Sequence, residues 1–102
     1  MTKKICLFCA GGMSTSLLVN KMKEAAATRG GDYDIAAYPL GDFEKVALDA
    51  SCVLVGPQVR YALAKLRSEH PELKIIDIPM RMYGTMDGKA TLDLAEKTIG
   101  EE

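Results

Sequence analysis

The chain has 102 residues, enough to bury one core without disulfide or metal support and too few for two. Lys and Arg total 13 against 14 Asp and Glu, and a net charge of -1 offers no bulk attraction to nucleic acid or an anionic lipid surface. No apolar stretch approaches the roughly 20 residues of a membrane-spanning helix, and three cysteines, an odd number, with no secretory signal argue for reduced thiols in the cytoplasm.

Lys4 to Cys9 (Lys-Ile-Cys-Leu-Phe-Cys) is almost continuously apolar, the pattern of a strand buried on both faces of a parallel sheet. Cys6 and Phe8 share one face, Ile5 and Leu7 the other. From Ser14 to Thr28, Leu18, Met22, Ala25 and Ala26 recur at helical spacing, and Gly30-Gly31 stops that helix. Tyr33 to Tyr38 alternates weakly and ends at Pro39, whose missing donor suits a sheet edge. Leu40 to Asp49 fits a short helix with Phe43, Val46 and Ala47 inward. Ser51 to Val55 is the second fully apolar run, closed by Gly56-Pro57 with the proline opening a helix. Val59, Ala62, Leu63 and Leu66 mark that helix, which should end near His70-Pro71. Leu73 to Ile78 reads as the last strand, stopped by Pro79. A loop from Met80 to Met86 then leads to Asp87, the expected N-cap of a final helix with Leu92, Ala95 and Ile99 inward.

This alternation of strand and helix predicts one α/β domain over residues 1–102, a four-stranded parallel sheet with helices on both faces and right-handed crossovers. The first and third strands are the most apolar and therefore central, giving the order 2-1-3-4. Ligands bind such sheets at the carboxyl ends of the strands, where the winding direction switches. That rule brings Cys9 to Ser16 beside Gly56-Pro57-Gln58, with Met80 to Gly84 on the same rim.

The stretch Cys9-Ala10-Gly11-Gly12-Met13-Ser14-Thr15-Ser16 has the composition of an anion cradle. A chain leaving a strand for a helix presents backbone N–H groups with no intrahelical partner, and a helix N-terminus favours negative charge by about 0.3–1 kcal/mol. Gly11 and Gly12 allow close approach to an oxyanion, while Ser14, Thr15 and Ser16 cap the helix and add hydroxyl donors. A thiolate at Cys9 is suited to accept a phosphoryl group, because amides that hold it also hold the oxygens arriving on phosphorus. The simpler reading makes Cys9 a small buried hydrophobe and the glycines plain turn residues; for Cys6 and Cys52, inside apolar strands, that reading is preferred. Cys6 and Cys9 spell C-x-x-C, but in a strand residues three apart face opposite ways with Cα atoms about 10 Å apart, too far for a disulfide.

A tyrosine-phosphatase loop would carry arginine six residues after its cysteine, where this chain has Thr15. Without a guanidinium fork on the transferring group, hydrolysis should be slow, which suits a protein that holds a phosphoryl group for delivery. No metal-ligand cluster is legible and no cofactor is expected. Arg60 and Arg81 fall near the predicted rim and read as solvated side chains or phosphate contacts. His70, before Pro71, falls on the opposite side and reads as a surface or capping residue.

Leu7-Phe8-Cys9-Ala10-Gly11-Gly12-Met13-Ser14-Thr15-Ser16-Leu17-Leu18-Val19 resembles the signature of the enzyme IIB components of the lactose/cellobiose (diacetylchitobiose) class of the bacterial phosphotransferase system. Gly56-Pro57-Gln58-Val59, Tyr83-Gly84 and Met86-Asp87-Gly88 also resemble that family, and the likeness spans nearly the whole chain. The resemblance implies that Cys9 takes a phosphoryl group from a phosphohistidine on the IIA protein and gives it to a sugar, of disaccharide type, held by the membrane IIC component. It places the chain in the cytoplasm, peripheral to the membrane through IIC, with Gly56, Pro57, Gln58, Tyr83 and Gly84 supporting the site or meeting partners. The alternatives are a hydrolase like the low-molecular-weight tyrosine phosphatases and a non-catalytic anion-binding module in which the thiol is incidental.

Overall fold

The computed structural model describes residues 2–9 and 13–100, with side chains from Thr15 onward in the second stretch. Two runs too apolar to face water on either side form the centre of its sheet: β1 (Lys3–Cys9) pairs in parallel with β3 (Cys52–Val55), Ile5 opposite Cys52 and Phe8 opposite Val55. β2 (Tyr33–Pro39) lies on the outer side of β1 and β4 (Ile75–Asp77) on the outer side of β3, so the order is β2-β1-β3-β4, as expected from apolarity. Pro39 closes an edge strand, where its lack of an N–H breaks no ladder.

Side chains alternate across the pleat, so the strands feed two cores. Ile5, Leu7, Cys52 and Leu54 pack under α1 (Met13–Arg29) and α5 (Gly88–Gly100), whose Leu18, Met22, Leu92 and Ala95 are fully buried. Cys6, Phe8, Val53 and Val55 face α2 (Phe43–Val46) and α3 (Leu63–Glu69), where Phe43, Ala47, Ala62 and Leu66 complete the second core.

The helix boundaries have local causes. At the end of α1, Gly30 takes a φ of 68°, Gly31 N–H donates to Ala26 O at 3.0 Å and Gly30 N–H to Ala27 O at 3.1 Å, a closure that satisfies two terminal carbonyls. Asp87 caps α5 as expected, its Oδ1 accepting from Ala90 N–H at 3.0 Å. At Gly88 a Cβ would lie 2.4 Å from Lys21 C and 2.6 Å from Met22 N, so α5 crosses the backbone of α1 at a point where only hydrogen fits.

Three expectations are corrected. The segment after β2 is a 3-10 turn at Leu40–Asp42 followed by the four residues of α2, rather than one helix to Asp49. The helix after Gly56 opens with a 3-10 segment, Pro57–Ala62, kinked at Val59, which leaves helical geometry (φ -119°, ψ 20°). The expected loop from Met80 contains a helix, α4 (Met80–Gly84), held by Tyr83 N–H to Pro79 O and Thr85 N–H to Arg81 O, both 3.1 Å. Pro79 sets its entry in extended geometry (φ -56°, ψ 139°), and Met80, Arg81 and Met82 are good helix formers.

Candidate active site at the carboxyl rim

β1 ends at Cys9, and the register that sets Phe8 against Val55 puts Gly56, the first residue past β3, beside it. Gly56 N–H donates to Phe8 O at 2.8 Å, extending the ladder by one bond. A Cβ on Gly56 would stand 3.3 Å from Phe8 O and 3.5 Å from Cys9 Cβ. The φ of Gly56 is an ordinary -68°, so this glycine is needed for space: the chain turns flush against the cysteine. Cys9 itself is 4% exposed.

The other two cysteines sit inside the sheet. Cys6 and Cys52 lie within strands, and desolvation pushes their thiols up to about 11 and about 12. Both therefore stay protonated near neutrality and react poorly as nucleophiles. No disulfide joins the described cysteines, as the opposite faces of Cys6 and Cys9 require.

α1 begins four residues after Cys9, so its N-terminal turn belongs to the same rim. Ala10, Gly11 and Gly12, expected to form the cradle, lie outside the described residues, as do the side chains of Met13 and Ser14. Thr15 is buried in the first turn of α1, and its Oγ1 shares a 3.0 Å hydrogen bond with Tyr83 OH from α4. Ser16 is exposed beside it. The correction at Met80–Gly84 is thus part of the site, because a helix is what holds Tyr83 against the start of α1. Pro57, Gln58, Met80, Tyr83 and Gly84 together line an open depression of about 360 Å³, so the structure brings together the two segments that the sequence had placed on one rim. Met80 is 76% exposed there, an apolar side chain facing outward.

Arg60 is exposed, as expected, and makes one ionic contact. Its Nε lies 3.3 Å from Asp77 Oδ2 at the end of β4, next to the level of Val55. Sequence reasoning had not singled out Asp77; a carboxylate ending an apolar strand at a binding rim was the available signal. Arg81 is exposed on α4.

His70 is corrected as well. It does cap α3 through its N–H to Leu66 O, 2.9 Å, but its side chain is buried against Phe43 rather than on the surface. The fold also brings His70 to Glu44 and Glu69, a group of possible metal donors that the sequence did not reveal. A larger cavity, about 510 Å³, opens beside Arg67, Lys74 and Thr98; its lining contains no cysteine, histidine or carboxylate.

Residues 4–94 match the family described as PTS system, lactose/cellobiose specific IIB subunit. The chain is 39% identical over 95 residues to the oligo-beta-mannoside-specific EIIB component of Bacillus subtilis, covering 91% of this chain and 92% of that one. It is 39% identical over 104 residues to the cellobiose-specific EIIB component of Lactococcus lactis subsp. lactis, covering 95% and 96%. Among solved structures, the cellobiose-specific IIB component of Borrelia burgdorferi superposes with a TM-score of 0.82 at 31% identity, covering 97% of this chain and 93% of that one. No helix among the described residues is long and apolar enough to cross a membrane. With a matching family model over nearly its whole length and the expected sheet order, the chain belongs to the lactose/cellobiose-specific IIB subunits of the sugar phosphotransferase system.

Proposed function

We propose that Cys9 is the phosphoryl-carrying nucleophile of this IIB chain. The observation that carries the reading is the position of its thiol, at the end of a central strand, flush against Gly56 and four residues before the start of α1. In the loading step the Cys9 sulfur attacks the phosphorus of a phosphohistidine on a IIA protein. An S–P bond forms, the N–P bond breaks, and the imidazole takes up the proton the thiol has given up and leaves as the neutral ring. In the unloading step a sugar hydroxyl held by a membrane IIC protein gives up its proton to a base on that protein and attacks the same phosphorus, an O–P bond forms, the S–P bond breaks, and the thiolate is regenerated.

The protein's part is positioning and charge stabilisation. Backbone amides from Ala10 to Ser16, with the Ser14, Thr15 and Ser16 hydroxyls, receive the phosphoryl oxygens. The Thr15–Tyr83 bond fixes the first turn of α1 for that task. Thr15 in place of an arginine leaves the phosphocysteine without a bidentate clamp, which favours holding the group over hydrolysing it. Gly56, Pro57, Gln58, Tyr83 and Gly84 form the wall against which partners dock, and residues 1–102 act as one IIB domain at the membrane through IIC. The sugar is a disaccharide or short oligosaccharide, as the names of the cellobiose and oligo-beta-mannoside relatives indicate for those proteins.

Incubation with phosphorylated IIA followed by intact-mass measurement tests this. The wild-type chain and Cys6→Ser gain one iodine-labile phosphoryl group, and Cys9→Ala gains none. A folded Cys9→Ala protein that still acquires such an adduct overturns the assignment.

A further inference from the structure

On the face of the sheet covered by α2 and α3, three segments converge on one imidazole. Glu44 stands on α2, Glu69 ends α3, His70 is its cap, and Glu72 follows Pro71. His70 Nε2 lies 2.6 Å from Glu44 Oε2 and Nδ1 lies 3.6 Å from Glu72 Oε2. One donor atom from each of Glu44, Glu69 and His70 falls within 4.8 Å of the other two. The ring is held in place: His70 is 9% exposed and its centroid sits 5.1 Å from that of Phe43, which in turn packs 4.9 Å from Phe8. The three carboxylates are exposed.

We propose that Glu44, Glu69 and His70 bind a divalent transition-metal ion of the zinc class, clamping α2 to α3 on the side of the sheet away from α1. The donor set selects the ion: imidazole nitrogen with two carboxylates suits zinc and its neighbours, whereas calcium and magnesium take oxygen cages. The outer contact fits as well. A metal-binding histidine normally offers its second nitrogen to a carboxylate, and Glu72 faces Nδ1, leaving the Nε2 lone pair for the ion. Ligands about 2.1 Å from a tetrahedral ion stand about 3.4 Å apart, so the Glu44–His70 pair opens from its 2.6 Å contact as an ion enters, and the three donor atoms, all within 4.8 Å of one another, need only side-chain rotation to surround it. The combined charge of the two glutamates matches that of the ion. A groove of about 390 Å³, lined in part by Glu44, Glu69, Tyr61 and Lys65, gives the ion an entry and room for water at the fourth position.

The test uses the full chain stripped with chelator, as wild type and as Cys9→Ser, so that thiolate binding is separated from binding at the glutamates. ZnCl₂ should raise Tm by more than about 5 °C in both, because an ion that binds only the folded state stabilises it; MgCl₂ should not. CoCl₂ should give visible d–d bands without the near-ultraviolet band of a cobalt–thiolate bond. Glu69→Gln replaces an exposed side chain and should melt like wild type without metal, Glu44→Gln also loses the pair with His70 and should melt lower, and each should weaken zinc binding at least tenfold. Glu72→Gln should weaken it about tenfold while leaving the number of bound ions at one. No zinc-dependent rise in Tm, an unchanged affinity in Glu69→Gln, or a cobalt–thiolate band in Cys9→Ser overturns the proposal.

Discussion

Gly56→Ala separates the chemistry of the rim from its stability. The added methyl group would meet Gln58 Oε1 at 3.2 Å, Phe8 O at 3.3 Å and Cys9 Cβ at 3.5 Å. The first contact is relieved by turning an exposed side chain. The second is resisted by the 2.8 Å bond from Gly56 N–H to Phe8 O, which ties the end of β3 to β1. The backbone itself is unstrained, since φ of -68° suits alanine. Replacing glycine at a compatible φ stabilises by about 0.4–1 kcal/mol through the unfolded chain, which offsets a crowding cost of a few tenths of an ångström. Tm should therefore move by less than about 5 °C. Loading should suffer more, because the methyl lies against Cys9 where a phosphoryl group must seat. Misplacement on the 1 Å scale costs about 100-fold, so a shift of several tenths should slow loading about 10- to 100-fold, or about 1.4–2.8 kcal/mol in the barrier. Rapid-quench mixing with phosphorylated IIA, read by intact mass, measures this. A folded Gly56→Ala protein that loads at the wild-type rate refutes the placement of the phosphoryl group beside Gly56.

Gly88→Ala should behave in the opposite way: its Cβ meets backbone atoms of Lys21 and Met22 at 2.4–2.6 Å, so overpacking of about 1–3 kcal/mol should outweigh the better helix propensity of alanine. Denaturant melts should show that loss, while loading at low temperature stays within a factor of two because the contact is with the middle of α1. Thr15→Val, Tyr83→Phe and the double variant form a cycle around a 3.0 Å hydroxyl pair, with an expected coupling of about 0.5–1.5 kcal/mol in urea unfolding; strictly additive single effects would remove the bond from the account. His70 is the sole histidine, and Glu44, then Glu72, hold its pKa above the ordinary value in spite of partial desolvation. The sign follows from linkage: the stabilisation is full below about pH 6.5, the value of an unfolded histidine, and is lost as pH rises through the higher folded value. In chelator-treated protein, NMR titration of the imidazole should show the raised midpoint and Glu44→Gln should lower it; a midpoint unmoved by Glu44→Gln contradicts the pairing.

What the sequence disclosed and what it concealed divide along sequence separation. β1 and β3 were legible because both faces of each are apolar, and that property alone made them central and set the order of the sheet. From the order came the rim, and from the rim the meeting of Cys9, Gly56 and Tyr83. The partners within the rim were not legible. Thr15 and Tyr83 are 68 residues apart, and nothing local to Thr15, which reads as a helix cap, names the phenol that buries its hydroxyl. His70 and Glu44 are 26 apart; a histidine before proline looks like a helix end, and only the packing of α2 on α3 turns it inward. The same limit applies to the glycines: in the sequence Gly56 marks the end of a strand and Gly88 follows a helix cap, whereas space against Cys9 and against the backbone of α1 is what makes each necessary. The three cysteines carry the point furthest. Cys6 and Cys9 stand on one strand, yet desolvation silences the thiol at Cys6, while Cys9 ends the strand next to a helix start. The inert thiol at Cys6 is therefore a matter of depth along β1, a coordinate readable from sequence once the strand and its stop are known, and the proposed role of Cys9 rests on the same coordinate.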